Sequence, residues 1–159
     1  MIERGKLVND YSLDHIFSYT VQYNRPEFIG PVAEGVRANL YSSGGIVDGP
    51  RISGKIRPVG GNWLIVRTDG VVILDMRGTI ETTDKARLYI TYTGMGDFGE
   101  DGYQNFLGGE LPNHILVHTA PRFHTAHPNY QWLNRFQCLG IGKIDFSSFE
   151  AMFDIYTVN

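Results

Sequence analysis

From Asn62 to Thr93 the chain reads NWLIVRTDGVVILDMRGTIETTDKARLYITYT, and this stretch decides the fold. Three runs rich in Val, Ile, Leu, Thr and Tyr are separated by two polar breaks, Asp69-Gly70 and Thr82 to Lys85. β-Branched and aromatic residues fit a pleated, half-buried surface. Asp-Gly between apolar runs signals a hairpin, because the tightest turn needs positive φ at both central positions. The stretch therefore reads as a three-stranded antiparallel meander. A two-residue loop pairs Thr68 with Val71, which sets Leu64 opposite Asp75 and Asn62 opposite Arg77. The next turn pairs Glu81 with Ala86, Arg77 with Ile90 and Asp75 with Tyr92. Directly opposed residues share a face. Asn62, Asp75, Arg77 and Tyr92 are thus expected on one face, ringed by Leu64, Val66, Val71, Ile73 and Ile90. Trp63, Ile65, Val72, Leu74, Met76 and Ile80 take the other.

Outward from this meander the same texture continues. Nineteen glycines punctuate short apolar runs, which places further strands near Ile16 to Gln22, Val36 to Ser42, Ile52 to Pro58, Ile115 to Thr119, Phe136 to Ile141 and Phe149 to Val158. The longer segments Asn24 to Gly35 and Gly94 to Asn113 read as loops, with one helical turn over Asp101 to Leu107. So many strands protect their edges by closing or stacking. The expectation is an all-β, single-domain chain over residues 1–159, a small antiparallel β-barrel with one or two long loops and an N-terminal extension over 1–14.

The composition narrows the function classes. Fourteen basic and seventeen acidic residues give a net charge of −3, with the basic residues scattered, so no patch is built for a phosphate backbone and nucleic acid is not an expected partner. No apolar run approaches the roughly 18 residues of a membrane-spanning helix. The lone Cys138 and the lack of a leader-like start point to the cytoplasm. Gly94-Met95-Gly96-Asp97-Phe98-Gly99 matches the dinucleotide fingerprint in letters. Its last glycine, however, leads into Glu100, Asp101 and Gly102, where acidic side chains oppose a pyrophosphate. His114 and His118 on one strand stand about 13 Å apart at ~3.3 Å per residue, too far to share an ion. No metal and no cofactor are expected.

Apolar walls around a few convergent polar groups are what small-molecule sites use. In such a site Asp75 is the candidate base, Tyr92 or His118 the proton donor, and Arg77 with Asn62 the anion binders. Trp132 or Trp63 is the candidate ring to stack on a ligand, with a core role the stronger expectation for Trp63. The leading expectation is a cofactor-independent proton-transfer enzyme, an isomerase, lyase or hydratase acting on a small oxygenated compound, aromatic ones included. The alternatives are a carrier barrel that performs no chemistry and a structural subunit. Because both faces of Val71 to Ile80 carry aliphatic residues, a homo-oligomer, most simply a dimer, is expected.

Several motifs together resemble the family known as domain of unknown function 3237, also called uncharacterised protein family 0311. They are Gly44-Gly45 with Gly49-Pro50 and Gly54; Gly60-Gly61-Asn62-Trp63; Arg67 with Asp69-Gly70; Asp75-Met76-Arg77; and Pro121-Arg122-Phe123 leading to Tyr130-Gln131-Trp132-Leu133-Asn134. The resemblance implies a small barrel, lipocalin-like or allene-oxide-cyclase-like, in an oligomer. It also directs attention to Asn134 as a ligand-binding candidate beside Trp132. Where that family usually carries Asp before the tryptophan, Asn62 stands here. Lys85 likewise replaces a turn glycine.

Overall fold

The computed structural model describes residues 4–159, so residues 1–3 of the expected extension lie outside the description. The strands are β1 (Leu13–Tyr23), β2 (Glu27–Val32), β3 (Gly35–Asp48), β4 (Gly54–Ile56), β5 (Gly61–Val66), β6 (Val71–Thr82), β7 (Arg87–Asp97), β8 (His114–Thr119), β9 (Arg122–His124), β10 (Cys138–Asp145) and β11 (Glu150–Val158). Helix α1 spans Gly102–Leu107 and a 3-10 helix spans Pro128–Arg135. Among the described residues, eight strands close into an antiparallel barrel in the order β6-β5-β3-β1-β11-β10-β8-β7, with β7 pairing back onto β6. The short β4 bridges β3 and β6, β9 extends β7, and β2 lies along the first half of β3.

Period-two alternation fills the interior. Phe17, Tyr19, Val21 and Tyr23 of β1 and Val72, Leu74, Met76 and Ile80 of β6 are all buried, as inward residues of a small barrel should be. Phe153 stacks on its cross-strand neighbour Tyr19, with ring centroids 5.1 Å apart, and reaches over the interior to Tyr92 of β7 at 5.6 Å. Gly142 makes room for it, since a Cβ there would come within 2.4 Å of the Phe153 ring. At one end Phe98 packs against Phe106 of α1 and against Phe146. At the other, Phe123 and Leu133, from β9 and the 3-10 helix, are fully buried.

Every strand expected from the sequence is present, but the meander's register is not the expected one. Arg67 N–H donates to the Val71 carbonyl and Gly70 N–H to the Arg67 carbonyl, so the first loop has three residues, Thr68 to Gly70, with Gly70 at φ 84°. The second repeats this pattern: Thr82 N–H reaches the Ala86 carbonyl, Lys85 N–H reaches the Thr82 carbonyl, and Lys85 sits at φ 69°. A three-residue hairpin loop ends in one left-handed residue. An odd loop reverses parity, and a one-residue slip moves every side chain to the opposite face. Met76 is therefore the residue opposite both Asn62 and Tyr92. The two reversals cancel between β5 and β7, so Asn62 and Tyr92 still share the interior with Leu64, Val66 and Ile90. Asp75, Arg77, Val71 and Ile73 project from the outer wall.

Candidate functional site

At mid-barrel the aliphatic interior is interrupted by polar atoms. The hydroxyls of Tyr19, Tyr23 and Tyr92 are sealed from solvent, and none has a hydrogen-bond partner. They adjoin one another and the Asn62 amide closely enough to interact electrostatically, without reaching hydrogen-bonding geometry. Burial is the main cause that holds all three protonated. It raises Tyr23 to about 12, and it lifts Tyr19 and Tyr92 well above the ordinary phenol value, with Tyr23 adding to the rise at Tyr19 and both Tyr19 and Tyr23 adding to it at Tyr92. The cluster is a set of neutral donors, not a base.

Asn62 ties this cluster to the wall. The β5–β6 ladder holds at Gly61 with Arg77 and Asn62 with Met76, then skips to Ile65 with Ile73. In the gap, Asp75 N–H donates to Asn62 Oδ1 at 3.1 Å. A side chain here does what a strand carbonyl does elsewhere, and leaves a seam in the barrel.

On the outer wall, over β6, β7 and β9, lies a cleft of about 400 Å³ lined by Asp75, Arg77, Thr91, Tyr92, Arg122 and Gln137 among others. It forms where β7 changes partner, from β8 at Gly94–Gly96 to β9 at Tyr89–Thr91. Asp75 and Arg77 form an ion pair at 3.8 Å, with side chains 45% and 55% exposed. The guanidinium of Arg77 also lies 5.8 Å from the centroid of Trp63, on the outer face. Arg122 donates through Nε to Gln137 Oε1 at 3.1 Å. Tyr92 borders the cleft from the wall, while its hydroxyl lies in the interior.

The expected single cavity therefore divides in two. Asn62 and Tyr92 converge inside; Asp75 and Arg77 face solvent on the outer wall. His118 stands exposed on the outer wall opposite Met95 and Ile141, away from both groups. Trp132 is partly buried under the guanidinium of Arg51, 3.6 Å from its centroid. Asn134 makes a two-way clamp on Thr125, accepting from its N–H and donating to its carbonyl. Tyr19 and Tyr23 were missed, although the alternation Phe17, Tyr19, Val21, Tyr23 signals a wall whose inward face ends in hydroxyls. Gly94 and Gly96 of the fingerprint-like run belong to β7. A Cβ on Gly94 would come 2.7 Å from the His118 carbonyl, so close strand approach accounts for it.

The chain is thus a closed β-barrel with a cluster of buried polar groups inside and a charged cleft on its outer wall. The chain matches, over residues 11–158, the model of the family described as protein of unknown function (DUF3237), and it belongs to that family. A UPF0311 protein of Rhodopseudomonas palustris is 33% identical over 146 residues, covering 91% of this chain and 94% of the relative. Among solved structures, a protein with unknown function from Clostridium acetobutylicum superposes with a TM-score of 0.84 at 25% identity, over 94% of this chain and 100% of that one. A beta-barrel like protein from Acinetobacter baumannii gives 0.77 at 24% identity, over 95% and 98%. A protein from Penicillium herquei described as an enzyme gives 0.70 at 18% identity, over 98% and 99%, a likeness of fold alone.

Proposed function

We propose that this barrel receives a small oxygen-bearing organic molecule at the Tyr19, Tyr23, Tyr92 and Asn62 cluster and transforms it by cofactor-independent proton transfer, as an isomerase, lyase or hydratase. The observation that carries the reading is the trio of buried hydroxyls without partners. A buried polar group left unpaired costs about 1–3 kcal/mol, and such groups in native proteins call for an explanation, a missing partner among them. A carbonyl or phenolic oxygen placed among the three would satisfy them together. Because they keep their protons, they stabilise charge developing on that oxygen. Tyr92 takes the role of proton donor, while the Asp75 carboxylate, on the outer face of the wall, does not reach a molecule held among the hydroxyls.

The carrier reading has its own support in the outward-facing Asp75–Arg77 ion pair, which leaves the interior cluster with donors and no carboxylate base. One experiment addresses both. Small keto- and hydroxy-aromatic acids are screened by thermal shift, and binders are then followed by NMR for exchange of carbon-bound protons in D₂O. Tyr19→Phe and Tyr92→Phe should each leave the free protein as stable or up to ~1 kcal/mol more stable, since an unpaired group is removed, and should abolish the ligand-induced shift. Binding without exchange selects the carrier. Destabilised variants that bind as the parent does would remove the site.

A further inference from the structure

The charged cleft on the outer wall has a neighbour. A second hollow, of about 480 Å³, shares Thr93 and Ala120 with it and continues to Ile73, Met95 and His118. The strand register fixes how the two are joined. Three successive outward rows across β6 and β7 read Arg77 with Thr91, Asp75 with Thr93, and Ile73 with Met95. β9 extends the first row with Arg122, and β8 extends the third with His118. Between β8 and β9 the chain turns at Ala120, whose N–H donates to the Thr93 carbonyl, so the middle row ends in short side chains. The result is a trough with two arginines at one end and Ile73 and the half-exposed Met95 at the other. We infer that this trough binds a small carboxylic acid with an apolar body, its carboxylate lying over Thr91 between Arg77 and Arg122.

At the head end, Arg77 and Arg122 stand two strand spacings apart, ~10 Å between Cα atoms, with the short Thr91 between them. The Arg77 guanidinium is 3.8 Å from Asp75, beyond hydrogen-bonding distance. Arg122 engages Gln137 Oε1 through Nε. Gln137 is itself fixed, because its Nε2 donates to the Pro121 and Cys138 carbonyls at 3.3 and 3.1 Å. That clamp turns Oε1 toward Arg122 and leaves both Arg122 Nη groups without a partner among the described residues. Arginine forks with free donors bind carboxylates bidentately. Charge selects the occupant. Two guanidiniums beside the Asp75 carboxylate leave a single net positive charge, which a monocarboxylate neutralises, whereas a dianionic phosphate would oppose Asp75. From Arg77 to Ile73, four residues along β6, is ~13 Å, so only an acid with a body of several carbons reaches the apolar end. Burying that body adds the affinity that an exposed head group lacks. The trough and the tyrosine cluster lie on opposite sides of the wall, so the inference does not rest on the function proposed for the interior.

Calorimetric titration of the whole protein with octanoate, below its micellar range, tests the inference. Octanoate should bind, and acetate, which lacks the body, and octanol, which lacks the charge, should each bind at least about tenfold more weakly. Arg77→Gln and Arg122→Gln should each weaken octanoate by about tenfold or more, and Asp75→Asn should tighten it. Tyr19→Phe, which alters only the interior cluster, should bind octanoate as the parent does, whatever the outcome for the interior site. No octanoate binding at millimolar concentration overturns the proposal. So do unchanged affinity in the two arginine variants, octanol bound as tightly as octanoate, or octyl phosphate bound more tightly than octanoate. Loss of octanoate binding in Tyr19→Phe would also overturn it, by placing the acid inside the barrel.

Discussion

The Tyr19, Tyr23 and Tyr92 hydroxyls keep their protons because burial penalises the phenolate. Tyrosines exposed on unfolding ionise near pH 10. Between that value and the raised folded value, which reaches about 12 for Tyr23, the native state holds protons that the unfolded chain has lost. Stability therefore falls as pH rises through this window. Ultraviolet titration should show three of the nine tyrosines ionising only with unfolding, and all nine titrating reversibly in the folded protein would contradict the cluster. Asn62→Leu should cost about 1–3 kcal/mol by leaving Asp75 N–H unpaired, read as a lower urea midpoint; an unchanged midpoint would mean that the seam bond contributes nothing. At this scale the sequence was half legible. Asn62 and Tyr92 could be paired from it because the two parity errors cancel, whereas Asp75 and Arg77 could not be placed, since the first loop is one residue longer than the expected two and the second one residue shorter than the expected four.

The second hairpin loop holds Lys85 in the left-handed region at φ 69°, where a Cβ costs roughly 1–2 kcal/mol. Part of that is recovered in the unfolded state when glycine is avoided. Lys85→Gly should therefore stabilise by about 1 kcal/mol or less, seen as a modest rise in melting temperature. A fall would show that the Lys85–Glu81 contact at 3.6 Å outweighs the strain. The same loop anchors the 3-10 helix. Hydrogen bonds from Thr82 and then Tyr130 hold the Asp84 carboxyl down to about 2. That stabilisation is complete above the ordinary carboxylate value near ~4 and is lost as pH falls through about 2. Acid melting curves of Asp84→Asn should accordingly be flatter over this interval than those of the parent, and parallel curves would exclude the anchor. Long strands such as β6 and β7 were legible because alternation runs through many residues. β2 was not, since Gly30-Pro31 and a bulge between Phe28 and Gly30 erase the pattern. The three residues of β9 were too few to carry one.

Closure of the whole sheet followed from the number of strands and the shortness of their turns, while the filling of the interior could not be read, because it depends on which glycines admit which rings. Those rings meet over the interior, and the proposed ligand site lies among them. A site of this kind has a kinetic signature. If entry needs the seam between β5 and β6 to part and Met76 to move aside, only the open fraction of molecules can bind. The apparent affinity is then weakened by that fraction. In stopped-flow mixing, the observed rate should level off or decline with increasing ligand as the opening step takes control. Asn62→Leu, which removes the seam's bridging bond, should raise the plateau. A rate that climbs linearly to the highest concentrations would mean an ever-open door.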